Sequence, residues 1–556
     1  MCSRERRFKR RTRGKRAASA EPCAGLPGIR TLLRHTGKGQ EPYIGRRSEA
    51  GLPPLLSCGA WDIRFYRAGG AWNLEILRRL LLQSKTERLS VPPTRGRREK
   101  EMEAHIERFF KIWSEAGLPP CYLVGGYVRN CVLKLAGTDL DIASSAPPQA
   151  LCALPAPEFL VEERAFGLGT VVVKQRFEGR LYTYEYTAFR CDSYGRGGAH
   201  APRSVRFTDS MEEDAQRRDF TVNALYMGAD GSVLDPTGRG LRAAGEGVIG
   251  QVTDGTLSED ALRILRMARF AAELGFTVEQ ATWECARAHV DGLADISRER
   301  IRDELVKILM ADVKYGKKDG VLRGLHMLKE LGALSDIVPA LAEGDGMEQN
   351  AQYHAYDVLE HSLRTCACAP PDLITRLAAL LHDVGKPGVF REYGKMYGHD
   401  KAGAEIARAA LRELRFDADT TDAVCALVGA HMFDLDNGAK KKAVVRQLMR
   451  LGERQFLRLA DLREADFRGS GKGNPALSAE KWRKTLRELK EKGAPITRAQ
   501  LAVDGNDIMR ELGLEPGRQV GELLSALHAY ALKKPAQNSY KNLIRYAKII
   551  NTYENR

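Results

Sequence analysis

Strand signals nearly vanish after about residue 255 of this 556-residue chain, whereas the stretch from 120 to 250 alternates strand-like runs with turns. A chain divided in this way predicts an α/β head followed by all-α segments, an α+β class overall. The length is also too great for one core. The predicted units are a basic extension (1–100), an α/β head (101–250), a helical neck (251–345), a second helical domain (346–470) and a helical C-terminal region (471–556).

Within the head, Tyr122-Leu-Val and Asp139 to Ile142 read as strands. Thr170 to Lys174 and Leu181 to Phe189 read as a hairpin across a Gly-containing turn. Helices are predicted at Tyr127 to Lys134 and from Met211 to Tyr226. Ser258 to Leu274 reads as one amphipathic helix, with Ser258 as N-cap and Gly275 as stop. Further helices are predicted at Ser297 to Met310 and Gly320 to Leu331, and Gly469 to Pro475 reads as a linker. The first hundred residues are rich in Arg, Gly and Pro, a composition that buries too little apolar surface to offset its ordering entropy. They are expected to lack order, save for a short amphipathic helix near Trp72 to Gln83. Met102 opens a clean helix pattern, and the functional chain is expected to begin near it.

The formal net charge is +15, which favours a polyanionic partner, nucleic acid first. The eleven cysteines are scattered without a Cys-x-x-Cys pair, which argues against a disulfide framework and for a reducing, cytoplasmic setting. No apolar run approaches the roughly twenty residues that span a bilayer.

Asp139-Leu-Asp141 carries the most chemistry. Strand residues alternate faces, so both carboxylates point the same way. Two adjacent carboxylates repel, and a hard cation is the usual remedy. Upstream, Gly125-Gly126 closes a strand and opens a helix, where backbone can approach a phosphate and the helix N-terminus favours anions. Arg129 lies near the start of that helix. Glu185, on a β-patterned run, offers a third carboxylate, and three suit two Mg²⁺ ions.

Gly125-Gly-Tyr-Val-Arg129, Asp139-Leu-Asp141, Arg217-Arg-Asp-Phe-Thr-Val-Asn-Ala224 and Glu259-Asp-Ala-Leu-Arg263 resemble, in order and spacing, the bacterial class II tRNA nucleotidyltransferase and poly(A) polymerase family, over about 105 to 550. The resemblance implies a polymerase-β-like head followed by helical neck, body and tail. It also implies addition of C and A to tRNA 3′ ends from CTP and ATP with Mg²⁺. It assigns magnesium to Asp139 and Asp141, and nucleotide contacts to Gly126, Arg129 and Arg218. Asp260, Arg263, Arg266 and Arg269 would line the base and phosphate pocket. Residues three apart on a helix are neighbours, so these four form one polar ridge. Taken alone, such a ridge is a surface salt-bridge ladder. A carboxylate beside a guanidinium also complements cytosine and adenine, each of which pairs an exocyclic amine with a ring-nitrogen acceptor, and it mismatches uracil and guanine. The chain departs from the family pattern at Asn130, where Asp is usual, and at Arg239, where an acid commonly follows Asp235-Pro-Thr-Gly238. The loop from Cys191 to Arg206 is expected to be flexible, and its presence favours terminal A addition.

A second site is suggested by Leu380-Leu-His-Asp-Val-Gly-Lys-Pro387, which resembles the signature of an HD-type metal phosphohydrolase. Five of the eleven histidines fall between His354 and His431. His361, His382, Asp383 and Asp466 are the expected core ligands for a divalent transition metal such as Ni²⁺, Co²⁺ or Mn²⁺. His399 and His431 either complete a second metal or bind phosphate. The segment from 472 onward is helical and basic with few aromatics, which fits binding of structured RNA through phosphate and shape. The expected partners are tRNA, CTP and ATP, with no membrane and no obligate protein partner. An A-adding enzyme and a poly(A) polymerase stay open, as does an HD phosphohydrolase with a vestigial head. A non-catalytic RNA-binding protein should show eroded metal ligands, and the ligands are intact.

Overall fold

The computed structural model describes residues 30–33, 57–58, 61–66, 97–137, 139–194, 202–473 and 476–554. The chain divides into two compact units, 1–100 and 101–556. In the first, strands β1 (Arg30–Leu33), β2 (Ser57–Cys58) and β3 (Trp61–Tyr66) form an antiparallel sheet with β3 central. Arg30 pairs with Tyr66 and Cys58 with Trp61. The composition predicted no order here. It is blind to these local antiparallel ladders, which satisfy backbone groups without a large core. The helix expected near Trp72 lies outside the described residues.

The second unit starts within helix α1 (Arg97–Glu115), which begins ahead of Met102. A seven-stranded sheet follows, ordered β12-β11-β4-β5-β8-β7-β6. Its strands are β4 (Cys121–Val124), β5 (Leu140–Ser144), β6 (Phe159–Ala165), β7 (Thr170–Phe177), β8 (Arg180–Ala188), β11 (Tyr226–Met227) and β12 (Val233–Leu234), with α2 (Gly126–Leu133) between β4 and β5. The predicted hairpin is β7–β8. Within this sheet, among the described residues, only β5 and β8 run parallel. In β8, Tyr184, Tyr186 and Ala188 are buried at alternate positions. They meet Phe109 and Trp113 of α1, with Phe109–Tyr184 centroids 4.4 Å apart. Burial of that face turns Glu185 to the opposite one. The Cys191–Arg206 segment opens and closes as a hairpin of β9 (Arg190–Ser193) and β10 (Ser204–Phe207), and 195–201 lie outside the described residues.

Two predicted helices are shorter than expected. α3 (Met211–Gln216) stops well before Tyr226. Arg217 and Arg218 fold back onto Asp214, at 2.8 and 3.0 Å, and the Asp219 carboxylate accepts its own neighbour's amide, Phe220 N–H, at 2.8 Å. Such local bonds compete with the helix ladder, and Tyr226 joins the sheet instead. α4 (Gly240–Glu246) follows, with Asp235 accepting Leu241 N–H at 2.9 Å at its start. Arg239 turns to the carbonyls of Gln251 and Val252.

The run from Ser258 to Leu274 is not one helix. α5 (Thr256–Glu259) and α6 (Leu262–Leu274) are separated at Asp260, which is extended (φ −144°, ψ 99°). Asp260 Oδ1 accepts Leu262 N–H at 3.0 Å, which caps α6 from the break. Ser258 caps nothing and donates to Gly255 O. Gly275, at φ 71°, does end α6. The continuous Asp260–Arg269 ridge is therefore corrected: Arg263, Arg266 and Arg269 share a helix, and Asp260 precedes it.

Helices α7 (Gln280–Ala288), α8 (Arg298–Leu309), α9 (Ala311–Tyr315), α10 (Gly320–Glu330), α11 (Leu334–Ile337) and α12 (Pro339–Ala342) complete the neck. α13 (Val358–Cys368), α14 (Leu373–Leu381), α15 (Lys386–Tyr393), α16 (His399–Glu413), α17 (Ala418–Val428) and α18 (Lys441–Gly469, kinked at Gly452) follow. Leu328, Leu341, Leu363 and Leu380 belong to one continuous core, so these helices pack on the neck without a seam. α19 (Leu477–Glu491) joins that core through Trp482. α20 (Gly505–Leu512), α21 (Arg518–Lys533) and α22 (Tyr540–Glu554) share a separate one around Ile508, Leu527 and Leu543. Among the described residues no helix is long and apolar enough to cross a membrane.

Candidate active site and metal centre

All ten residues singled out for the transfer site line one cavity of about 1090 Å³ between the sheet and α6. Asp139 sits at the entry to β5, and Asp141 lies in register with Glu185 on the parallel strand β8. Burial pushes the Asp141 carboxyl up to about 6, with Glu185 and Asp139 adding to the rise and Arg218 opposing it. Carboxylate oxygens are the donors a hard divalent cation takes, but these three do not form a group within 4.8 Å of one another in this structure, as the ligands of the second site do. Gly125 adopts φ 68°, and a Cβ there would come within 3.3 Å of Asp141 Oδ2, so the glycine is dictated both by conformation and by space.

Arg129 is buried and held entirely by neutral groups. Its Nη1 donates to Asn223 Oδ1 at 2.8 Å, its Nε and Nη2 to Asn130 Oδ1 at 3.2 and 3.0 Å, and its Nη2 to the Tyr315 hydroxyl at 3.3 Å. The guanidinium lies 5.1 Å from the centroid of Phe270. The same ring carries Arg269 at 4.2 Å and Arg266 at 5.5 Å. Arg218 is fixed by Asp214 and by the Tyr226 hydroxyl, 3.0 Å from each.

On the neck side, Asp260 and Arg263 lie side by side, Oδ2 to Nε 3.8 Å. Burial raises the Asp260 carboxyl to about 6 although Arg263 pulls the other way. Arg263 is immobilised by the carbonyls of Thr256 (3.0 Å) and Arg217 (2.8 Å) and by the Tyr194 hydroxyl (3.2 Å). Arg266 grips Asp219 through Nε and Nη2 at 2.8 and 2.6 Å. Burial would lift the Asp219 carboxyl, yet Arg266 outweighs it and holds it at about 2. Arg269 pairs with Glu304 of α8 at 2.9 Å. Asn223, Tyr315, Phe270 and Tyr194 were given no role from the sequence, although Asn223 lies in the Arg217–Ala224 motif. Tyr315, Phe270 and Tyr194 carry no signal until the chain brings them to the site.

The second site is a nest of imidazoles and carboxylates, nearly all buried. His361 Nε2 lies 3.2 Å from His382 Nε2, 3.1 Å from Asp466 Oδ1 and 3.6 Å from Asp383 Oδ2. His382 Nε2 lies 3.1 Å from Asp383 Oδ2 and 3.7 Å from Asp466 Oδ1. His361, His382 and Asp383 form a group whose ligand atoms all lie within 4.8 Å of one another, with Asp466 beside the two imidazoles, and such a donor set suits a divalent transition metal. On the other side, Asp383 Oδ1 lies 3.2 Å from His399 Nε2 and 3.7 Å from His431 Nε2, and those two imidazoles are 3.1 Å apart. Asp383 therefore gives one oxygen to each of two ligand groups.

Three of the rings are oriented alike. Nδ1 of His382, His399 and His431 lies 2.7–2.8 Å from the carbonyls of Ala379, Met396 and Val428. That bond places the proton on Nδ1 and aims the Nε2 lone pair inward. Burial lowers His431 to about 3, so it stays neutral and ligand-ready. Lys386 donates to Asp383 Oδ2 at 2.6 Å, and Arg463 reaches Asp466 and the carbonyls of His431 and Phe433. Neither Lys386, three residues after Asp383, nor Arg463 was singled out from the sequence.

Three family models match the chain. Residues 121–250 match the poly A polymerase head domain, 275–344 the probable RNA and SrmB-binding site of polymerase A, and 353–466 the HD domain. Fold and site thus define a nucleotidyltransferase that carries an HD domain. The chain is 33% identical to an A-adding tRNA nucleotidyltransferase of Deinococcus radiodurans, over 74% of this chain and 91% of that protein. It is also 33% identical to a CC-adding tRNA nucleotidyltransferase of Thermus thermophilus, over 73% and 88%. The crystal structure of the Bacillus stearothermophilus CCA-adding enzyme in complex with CTP superposes with a TM-score of 0.58 at 26% identity, covering 81% of this chain and 98% of that one. The chain belongs to the bacterial class II tRNA nucleotidyltransferase family.

Proposed function

We propose that this nucleotidyltransferase adds C and A to the 3′ end of tRNA from CTP and ATP, without a nucleic-acid template. One observation carries the reading: the Asp260–Arg263 pair opens into the same cavity as Asp139, Asp141 and Glu185. Base choice and phosphoryl transfer thus share one chamber. The Asp260 carboxylate accepts from the exocyclic amine of C or A, and Arg263 donates to the ring nitrogen. Both bases satisfy the pair, whereas a carbonyl in place of the amine leaves it unpaired. Two backbone carbonyls hold Arg263 still, which favours a preset template over an adaptable one.

Asp139, Asp141 and Glu185 would hold Mg²⁺, which supplies activation of the 3′-hydroxyl and charge neutralisation at the phosphates. Gly126 at the N-terminus of α2, Arg129 and Arg218 bind and orient the triphosphate. Arg266 and Arg269 frame the pocket through Asp219 and Glu304. The basic α19 to α22 region and the neck bind the tRNA through its phosphates.

One similar protein is an A-adding and another a CC-adding tRNA nucleotidyltransferase. The β9–β10 hairpin, whose end places Tyr194 on Arg263, supports a chain that also adds A. The deciding experiment supplies tRNAs ending in the discriminator base, in C and in CC, with labelled CTP or ATP. Two C and one A added in order is the expected result. Extension of only one substrate class, or untemplated runs of A, would reassign the chain to CC-adding, A-adding or poly(A) chemistry.

A second reading applies to the HD domain, and the two ligand groups sharing Asp383 favour it. His361, His382, Asp383 and Asp466 would hold one divalent transition metal, Ni²⁺, Co²⁺ or Mn²⁺, and His399 and His431 a second. Such a centre hydrolyses phosphoesters, and a tRNA end bearing a damaged phosphate is a substrate within reach of the same protein. Turnover of a 2′,3′-cyclic nucleotide with these metals is expected. A rate no higher than that of His382→Ala would end the reading.

A further inference from the structure

A five-residue helix, α9, links the HD domain to the transfer site. At the first turn of α9, Asp312 takes a two-pronged ion pair from Arg376 of α14, Nη1 to Oδ1 and Nη2 to Oδ2, both 2.6 Å. Arg376 is 1% exposed, a charge that burial tolerates only when it is fully paired. Its other protons go to Leu309 O at 2.5 Å and to Ala369 O at 3.3 Å. One guanidinium of the HD domain thus clamps the end of α8, the start of α9 and the turn ahead of α14. The planar fork makes this geometry specific, and a lysine could not reproduce it.

At the other end of α9, one turn on, the Tyr315 hydroxyl accepts from Asn130 Nδ2 at 2.9 Å and from Arg129 Nη2 at 3.3 Å. Residues three apart on a helix lie on one face, roughly 4.5 Å along the axis. A shift at Asp312 therefore reaches Tyr315 with no hinge between them; the first left-handed backbone is Gly316, at φ 69°. The other anchors of Arg129, Asn130 and Asn223, are neutral as well, so its charge stays available to an anion and its aim depends on weak partners.

We propose that Arg376 and Asp312 are positioning residues for nucleotidyl transfer, holding α9 so that Tyr315 keeps Arg129 aimed at the incoming triphosphate. The proposal rests on the triphosphate role given to Arg129 above. It makes the docked HD domain part of the transferase, whatever its own metal chemistry.

The test reads equilibrium binding of CTP and ATP to the full chain. Asp312→Asn is isosteric, Tyr315→Phe deletes one hydroxyl, and Arg376→Lys keeps charge without the fork. Each is expected to raise both nucleotide Kd values about five- to tenfold, the size of one lost charge-assisted bond. The tRNA Kd should not move, and kcat at saturating nucleotide should change less than twofold. Because Asp312 and Tyr315 act through one path, the double variant should bind no worse than the weaker single one. Additive losses would overturn the proposal. So would an Asp312→Asn protein that melts earlier yet binds CTP with the wild-type Kd, the mark of a purely structural clamp. A wild-type chain that binds CTP and ATP but transfers neither to tRNA would refute the functional reading instead, and the two failures are therefore distinct.

Discussion

Asp141 and Glu185 are register partners on the only parallel strand pair of the head sheet. Their shared position sets Glu185 beside Asp141 in the cavity. It also explains why burial and crowding together lift Asp141 to about 6.

Loss of Asp141 should therefore have two opposite effects, and loss of Asp139 the first of them. Asp139→Asn and Asp141→Asn should lower C and A addition alike by at least about a thousandfold, roughly 4 kcal/mol of barrier. In metal-free buffer Asp141→Asn should melt higher than wild type, by an amount on the order of 1 kcal/mol. The sign follows from a raised carboxyl. It costs stability when ionised, fully above about pH 6, and costs nothing below its ordinary value of 3.8. The difference in melting should close as pH falls between those values.

Base choice should depend on pH through Asp260, which titrates near 6 in the fold. Above that value the carboxylate only accepts hydrogen bonds and selects an amine. Below it the protonated acid also donates, and a uracil carbonyl becomes an acceptable partner. Discrimination of CTP over UTP should fall as pH drops from 7.5 to 5.5. In Asp260→Asn, which both donates and accepts throughout, discrimination should be low and independent of pH.

The Asp219–Arg266 pair ties the turn after α3 to α6. A carboxyl held at about 2 contributes stability that is complete above its ordinary 3.8 and is lost as pH falls through 2. Asp219→Asn should cost about 2 kcal/mol near pH 7. Urea titrations at pH 7 and at pH 2.5 should show that gap closing on the acid side. A gap of constant size would mean that the pair is not the source.

Metal stoichiometry should follow the sharing of Asp383. Full-length protein loaded with Mn²⁺ or Co²⁺ and dialysed should retain two ions in the HD domain by elemental analysis. His361→Ala should leave one and His399→Ala one, while Asp383→Ala should leave none.

Much of this was readable from the residues. The strand hairpin, the Asp-x-Asp entry to β5, the paired glycines and the cluster of histidines are local patterns, and each survives in the fold. The misread elements share a cause. Met211 to Tyr226 and Ser258 to Leu274 carry helical periodicity throughout. In both, however, an aspartate, Asp219 or Asp260, turns its side chain onto a nearby amide and breaks the ladder. For Asp219 the guanidinium it meets, Arg266, lies 47 residues farther along the chain, beyond the reach of local periodicity, whereas Asp260 has Arg263 three residues on.

Residue type and short-range period were enough to fix the class of chemistry, namely carboxylates at alternate positions of a strand, a cluster of histidines with a His-Asp pair, and basic helices for a polyanion, because they set which atoms are available. Tertiary structure alone decided where those atoms are aimed. Asn223, Phe270 and Tyr315 reach Arg129 from separate elements, and Arg376 reaches Asp312 across the join between neck and HD domain. Buried charges need partners, and only the folded chain shows which partners lie within a hydrogen bond.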